Sequence, residues 1–367
     1  MRSSAGALET ASHIADTDLA PTAEDIDRSA LVPRSRFAGL AAAGLFGIAG
    51  PTELGHLDLA PPVARRVMAA IAGGCGATFF CWVQHHGVVR TVRSSPVEAL
   101  RSSLLDELCS GTTMAGVAFA HLRRADRRAV TARRVRGGWL FDGHAPWATS
   151  WGIADVFAVA AESDEGEVVW GLIPGAASPT VQPRALSLPV LASTGTVALE
   201  FSGCVVGDES VIAIEDAAAW RTTDRRRAAI GQPAVLGVAE RAIRLLEGHD
   251  GIDSTHAGNG PAAAVRSLQE ELDEAWRDDD ALLAEVATTI DEASAHRARC
   301  LDLGRRATTA LLAAVGGGGM DLGHPAQRLA REAMFYVIQA QTDDGRAATL
   351  RQSAAPAVTV GDDQHRG

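Results

Sequence analysis

Lysine is absent from the 367 residues, so all 34 basic side chains are arginine. That removes Schiff-base lysines, pyridoxal-phosphate linkage and a phosphate-loop lysine together. Tyrosine occurs once, at Tyr336. The five cysteines, Cys75, Cys81, Cys109, Cys204 and Cys300, are scattered and include no C-x-x-C pair. An odd, scattered set speaks against a disulfide framework and structural zinc, and for reduced, mostly buried thiols. Long apolar runs are also missing. The longest, Phe37 to Gly50, is glycine-rich and shorter than the ~20 residues a bilayer span needs. The first residues lack a basic start followed by an apolar core, so no signal peptide is expected, and a cytoplasmic protein without membrane contacts is. Basic runs are lacking too. With 45 acidic residues the net charge is −11, which excludes a nucleic-acid backbone as a partner.

What is present changes period along the chain. Residues 1 to about 25 are polar and read as frayed. From there to residue 112 the pattern is helical. "DLAPPVARRVMAAIAGG" and "SPVEALRSSLLDELCSG" both open on proline and close on glycine. From 113 to 215 the segments are short, rich in Val, Phe and Trp, and separated by Gly, Asp or Pro, as in "ADVFAVAAES" and "GEVVWGLIPG". "RRVRGGWLFDG" reads as a hairpin turning at Gly137-Gly138. From 216 to 350 long helical segments return, at about 225–248, 261–289, 291–315 and 325–341. A polar loop, Gly248 to Pro261, separates the first two, and the residues after Ser353 read as a loose tail.

Three stretches carry a resemblance. "GHAPWATSWGIAD" places Gly143, Trp147, Thr149 and an Ala-Asp in one spacing, and "STGTVALEFSGCVV" sets Thr196 five residues before Phe201. "AVGGGGMDLGHPAQRLAREAMFYVIQAQT" holds Gly316, Gly317, Gly319, Pro325, Arg331, Ala333, Tyr336 and Thr342 in register without a gap. Together they resemble the acyl-CoA dehydrogenase superfamily of flavoproteins over roughly residues 20–350. The resemblance implies an α+β fold with an N-terminal helical domain (25–112), a middle β-barrel domain (113–215) and a C-terminal four-helix bundle (216–350). It implies FAD as cofactor and a small-molecule acyl or specialised-metabolite substrate. A redox partner is implied as well, either an electron-transfer flavoprotein or a flavin reductase, as is a homodimer or homotetramer with "ALLAAVGGGGM" at its seam.

A flat flavin calls for an aromatic face and short donors at its polar edge. Trp147 can supply the face, and Thr149, Ser150 and Thr196 the polar groups. Gly316 and Gly317 permit close backbone approach to a pyrophosphate. Trp147 and Trp151 could equally fill the inner face of the sheet, and the glycines could simply connect two helices.

The family's base glutamate, four residues after the tyrosine, corresponds here to Ala340. An alternative base position falls near Arg227, which cannot accept a proton. The R-x-x-F-G stretch is missing, and Ala192 stands where an arginine is often found. Ordinary acyl-CoA dehydrogenation is therefore in doubt. A reduced-flavin monooxygenase and a non-catalytic ligand- or partner-binding member remain the alternatives. For an enzyme, His85 and His86 are the expected catalytic candidates. Helical neighbours lie about 100° apart, so only one would face the pocket. His121, Asp343 and Asp344 are further candidates, with ordinary core or helix-end roles as the competing reading.

Overall fold

The computed structural model describes residues 4–124, 128–231, 233–249, 260–285 and 288–355. The helices before the sheet are α1 (Ser4–Ile14), α2 (Ala23–Arg28), α3 (Ala38–Ala42), α4 (Pro61–Gly74), α5 (Gly76–Arg93) and α6 (Glu98–Ser110). The expected fraying of residues 1–25 is corrected for residues 4–25, residues 1–3 lying outside the described ones. α1 buries Ala7, Ala11 and Ile14, spaced four and three apart, and lies against α4. That apolar stripe is narrow and made mostly of alanine, so it is easily hidden in a polar stretch.

Eight strands follow: β1 (Ala115–Ala118), β2 (Val130–Val135), β3 (Gly138–Ala148), β4 (Val156–Ser163), β5 (Glu167–Pro174), β6 (Val181–Ala185), β7 (Val197–Gly207) and β8 (Val211–Asp216). They form one sheet in the order β6-β7-β3-β2-β4-β5-β8, with β1 parallel to β4. The expected barrel is thus a hydrogen-bonded path with β6 and β8 as its two ends. The β2–β3 hairpin turns one residue earlier than expected, at Arg136-Gly137, since Val135 pairs with Gly138. Gly137 takes the left-handed conformation this tight turn needs (φ 78°).

After the sheet come α7 (Ala217–Ile230), α8 (Ala234–Glu247), α9 (Pro261–Ala284), α10 (Ile290–Val315), α11 (Pro325–Ile338) and α12 (Asp343–Ala354). The segment expected as one helix over 225–248 is two, because the chain breaks at Gly231 (φ 72°) just ahead of Pro233. α10 is the central element and touches α7, α8, α9, α11 and α12. It opens with a capping box, in which the Thr289 hydroxyl accepts from Glu292 N–H and the Glu292 carboxylate accepts from Thr289 N–H. α4 and α8 cross at Gly73 and Gly237, where a Cβ on Gly237 would lie 1.9 Å from the Ala69 carbonyl oxygen. Of the loop Gly248 to Pro261, residues 250–259 lie outside the described residues, as does the tail from 356. All five cysteines are buried and unpaired. Among the described residues no helix is long and apolar enough to cross a membrane.

α11 is anchored by a buried ion network. Arg328 donates to both oxygens of Glu332 (2.9 and 3.0 Å) and to Glu24 (2.9 Å), and Glu332 also accepts from Gly76 N (3.2 Å). Arg331 pairs with Asp27. These pairs fix the α11 backbone against α2 and the start of α5.

Candidate functional site

Between the sheet and the helices opens a cleft of about 1800 Å³. Its walls come from α5 (Phe80, Gln84, Gly87), the end of β3 (Trp147), the segment before β7 (Leu191, Thr196), α7 (Arg227) and the turn after α11 (Ala340). Pockets for one drug-sized molecule measure about 300–1,000 Å³. This cleft has room for two ligands side by side.

One wall is built by stitching two loops together. Ser150 N donates to Thr194 O (2.9 Å) and Trp151 N to Gly195 O (3.0 Å), joining the turn after β3 to the segment before β7. Ser150 and Gly195 both sit at positive φ (76° and 62°), and a Cβ on Gly195 would lie 2.3 Å from the Trp151 carbonyl oxygen. Glycine at 195 is therefore required twice over, by conformation and by space. Cys81, whose thiol burial pushes up to about 12, donates to Thr194 O at 3.6 Å and fastens α5 to the same seam.

The seam aligns three hydroxyls. Thr194 Oγ1 donates to Leu191 O (2.7 Å), lies 2.8 Å from Thr196 Oγ1, and Thr196 lies 3.0 Å from Thr149 Oγ1. Each hydroxyl has one proton. Thr194 has committed its own, so Thr196 donates to Thr194 and Thr149 donates to Thr196. Thr149 ends the chain: its proton is spent on Thr196, and its lone pairs are left to accept from a ligand.

Trp147, at the mouth of this wall, is 49% exposed. A large indole held by a strand yet half uncovered is an unfilled aromatic face in a cleft. Trp151 instead packs its ring 5.3 Å from Phe157 and belongs to the core. Ser150 departs from expectation. Its N–H is used by Thr194, its hydroxyl is fully buried, and it does not line the cleft. Its contribution is the left-handed turn.

The histidine expectation is corrected. Neither His85 nor His86 reaches the cleft, and both are fully buried. His85 Nδ1 accepts from Ala115 N (3.0 Å), so the proton sits on Nε2 and is donated to Leu108 O (2.9 Å). Burial holds its pKa down at about 4. His86 stands edge-on to Trp82, 4.3 Å away, and burial followed by the His85 and Arg90 charges keeps its pKa well below the usual histidine range. α5 is buried nearly all round, so the core takes up both imidazoles. The face of α5 that opens on the cleft carries Phe80, Gln84, Gly87 and Thr91.

His121 does line the cleft, but its Nε2 is engaged with Ala160 O (2.9 Å) and burial lowers its pKa to about 4. Asp344 is held ionised by Arg225 (2.6 and 2.8 Å), and Asp343 pairs with Arg346 (2.9 Å) at the first turn of α12. Tyr336 is buried in the bundle core, away from the cleft.

Gly316 and Gly317 lie at the exposed end of α10 and do not line the cleft; a Cβ at either would meet nothing within 4 Å. Ala340 lines the cleft at φ 52°, a left-handed conformation unusual for a non-glycine residue. Its carbonyl and that of Ala228 each accept from Arg297 Nη1 (3.2 Å), while Gln339 O accepts from Nη2 (2.5 Å). Arg297 thereby caps the ends of α7 and α11 at once. Thr194 and Arg90 were not singled out from the sequence; "STGT" held the signal for Thr194, and nothing marked Arg90.

Comparison with known proteins agrees with this architecture. Residues 6–112 match the model of the acyl-CoA dehydrogenase N-terminal domain. Benzylmalonyl-CoA dehydrogenase of Aromatoleum aromaticum is 27% identical over 222 residues, covering 57% of this chain and 56% of that protein. A probable acyl-CoA dehydrogenase of Mycobacterium leprae is 24% identical over 358 residues, 90% of each chain. Family model, relatives and solved structures all point to one superfamily, that of the acyl-CoA dehydrogenases. Within that superfamily its fold is shared with butyryl-CoA dehydrogenase from Megasphaera elsdenii (TM-score 0.79, 16% identity, 95% of this chain and 97% of that one). It is shared equally with a nitrososynthase from Micromonospora carbonacea (TM-score 0.77, 20% identity, 96% of each). At such identities the likeness is one of fold.

Proposed function

We propose that the protein is an FAD-dependent oxidoreductase acting on an acyl or specialised-metabolite substrate other than a simple straight-chain acyl-CoA. The observation that carries this reading is the half-exposed Trp147 beside the Thr194–Thr196–Thr149 hydroxyl chain, in a cleft large enough for a cofactor and a substrate together. These residues fit a flavin: an uncovered aromatic face and a hydroxyl whose lone pairs can accept from a ring N–H. When bound, FAD supplies a two-electron acceptor for hydride leaving the substrate.

The chain's own residues then bind and orient. Trp147 covers one side of the ring and excludes water from it. Thr149 would present its lone pairs to an N–H of the ring edge, and the chain through Thr196 and Thr194, which takes up its proton, fixes their direction. Ala340 stands where the family glutamate would remove a proton, and Arg227 stands near the alternative base position; neither accepts one. The described carboxylates of the cleft are all engaged: Glu215 by Trp170, Asp224 by Arg123, Asp343 by Arg346 and Asp344 by Arg225. General-base loss typically costs two to four orders of magnitude, so thioesters that need an α-proton removed react slowly.

Gly316 and Gly317, exposed and outside the cleft, reach a cofactor only from a second copy of the chain. A homodimer or homotetramer fits the exposed Met320, Leu322 and Leu350 on and beside that loop and α12. Sedimentation equilibrium should show the oligomer, and a monomer at micromolar concentration would remove the two glycines from the cofactor site.

The deciding experiment is a visible spectrum of the purified protein, with FAD identified after denaturation. Oxidised flavin absorbs at roughly 450 nm. A protein that neither carries nor takes up FAD is the non-catalytic binder instead. Turnover only with a flavin reductase and oxygen would assign a monooxygenase; reoxidation by an electron-transfer flavoprotein supports the dehydrogenase reading.

A further inference from the structure

The protein carries a net charge of −11, yet its cleft is cationic, with eight arginines and four carboxylates on its walls. Most of those arginines are committed. Arg93 holds Asp58, Arg123 holds Asp224, Arg221 holds Glu162, Arg225 holds Asp344 and Arg346 holds Asp343. The other three, Arg124, Arg90 on α5 and Arg227 on α7, have no side-chain hydrogen-bond or ion-pair partner among the described residues. Arg90 and Arg227 line the same cleft. The two come from different helices yet act on one another, since burial first and then the Arg227 charge weigh against the charge on Arg90. Two unpaired guanidiniums lining one cleft and acting on one another lose energy by repulsion unless a ligand supplies the missing negative charge.

Their position narrows what that ligand is. The carbonyls of Ala228 and Ala340 share one nitrogen of Arg297, which sets α7 at Arg227 alongside the Ala340 turn. Arg227 therefore stands beside the place where substrate chemistry occurs on the reading above, on which this inference rests, and Arg90 lines the same cleft from α5. We infer that Arg90 and Arg227 form an oxyanion clamp for a carboxylate or phosphoryl group of the substrate. A planar guanidinium binds such groups through two parallel N–H donors, and two of them converging from separate helices fix both position and orientation. The substrate class is then an anionic molecule whose charged group lies near its reacting carbon, such as a dicarboxylic acyl thioester.

The same chemistry could come from cofactor phosphates, so the test separates the two. The full chain as purified, and the Arg90→Gln, Arg227→Gln and double variants, are titrated calorimetrically with glutarate, malonate and inorganic phosphate. At least one anion should bind the native protein about ten- to hundredfold more tightly than the double variant, with the single variants between. Glutaryl-CoA should also bind more tightly than pentanoyl-CoA to the native protein, and the double variant should lose that preference. Flavin content, from the ratio of visible to ultraviolet absorbance, should be unchanged in the double variant. Loss of flavin there assigns the arginines to the cofactor and overturns the proposal, as does anion binding that is absent or insensitive to both substitutions. A native protein without flavin that still binds the anions through these arginines would sink the redox reading and leave the clamp standing.

Discussion

Replacing Trp147 by alanine isolates the ring face on which flavin binding depends. A tryptophan presents up to about 250 Å² for burial. With 49% of Trp147 uncovered, roughly 120 Å² remains for a bound ring to cover. At about 25 cal/mol per Å² that area contributes about 3 kcal/mol, and ring stacking adds about 1 kcal/mol. Since about 1.4 kcal/mol is tenfold in affinity, Trp147→Ala should weaken FAD binding by two to three orders of magnitude. The assay is titration of flavin-stripped protein with FAD, followed by quenching of flavin fluorescence, native and variant side by side. Because the lost surface is half exposed and lies off the core, the thermal midpoint of the flavin-free variant should stay close to native, which separates lost binding from lost folding. A well-folded variant whose affinity for FAD stays within threefold of native would refute the placement of the ring against Trp147.

Three further outcomes follow from the geometry. Gly195→Ala must place a Cβ 2.3 Å from the Trp151 carbonyl at φ 62°; it should cost at least 1–3 kcal/mol in urea unfolding and loosen flavin retention, and an unperturbed variant would disprove the seam. Butyryl-CoA should reduce the flavin of the native protein slowly, and Ala340→Glu, which adds no new backbone strain, should speed that reduction at least tenfold; rapid reduction by the native protein would mean a carboxylate reaches the substrate after all. His85 and His121 titrate near 4 in the folded chain against about 6.5 unfolded. The unfolded chain therefore takes the proton first, so stability is full above about pH 6.5 and falls toward pH 4 by about 1.4 kcal/mol per unit for each histidine. Urea midpoints measured at pH 7, 6 and 5 should show that slope, His121→Gln should lessen it, and a flat profile would contradict the burial of both rings.

The sequence announced the order of helices, strands and helices because its punctuation is local. Pro61 and Gly74 bracket α4, and Pro325 opens α11. Trp147, Thr149 and Thr196 were legible as a group through spacing shared with a family, and the structure brings them to one wall. The histidines misled for a physical reason. Helical periodicity says that two neighbours point apart, but it does not say which direction is the pocket, and α5 has core on nearly every side. Arg90 was invisible because its significance is a missing partner, which depends on what α7 places opposite. α1 escaped because two alanines and one isoleucine, Ala7, Ala11 and Ile14, carry little hydrophobic signal, although these three buried positions suffice to dock it on α4.

The triple grip of Arg297 has a mechanical consequence. One guanidinium holds carbonyls from α7 and from the turn after α11, so the two sides of the cleft nearest Ala340 are riveted to the N-terminal third of α10. Neither side can swing alone. Opening and closing at this end must move α7, the Ala340 turn and α10 as a single rigid block, leaving α5 and the β3–β7 seam as the opposing jaw. Substitutions deep in α10, which never meet a ligand, would then retune the width of the cleft from behind.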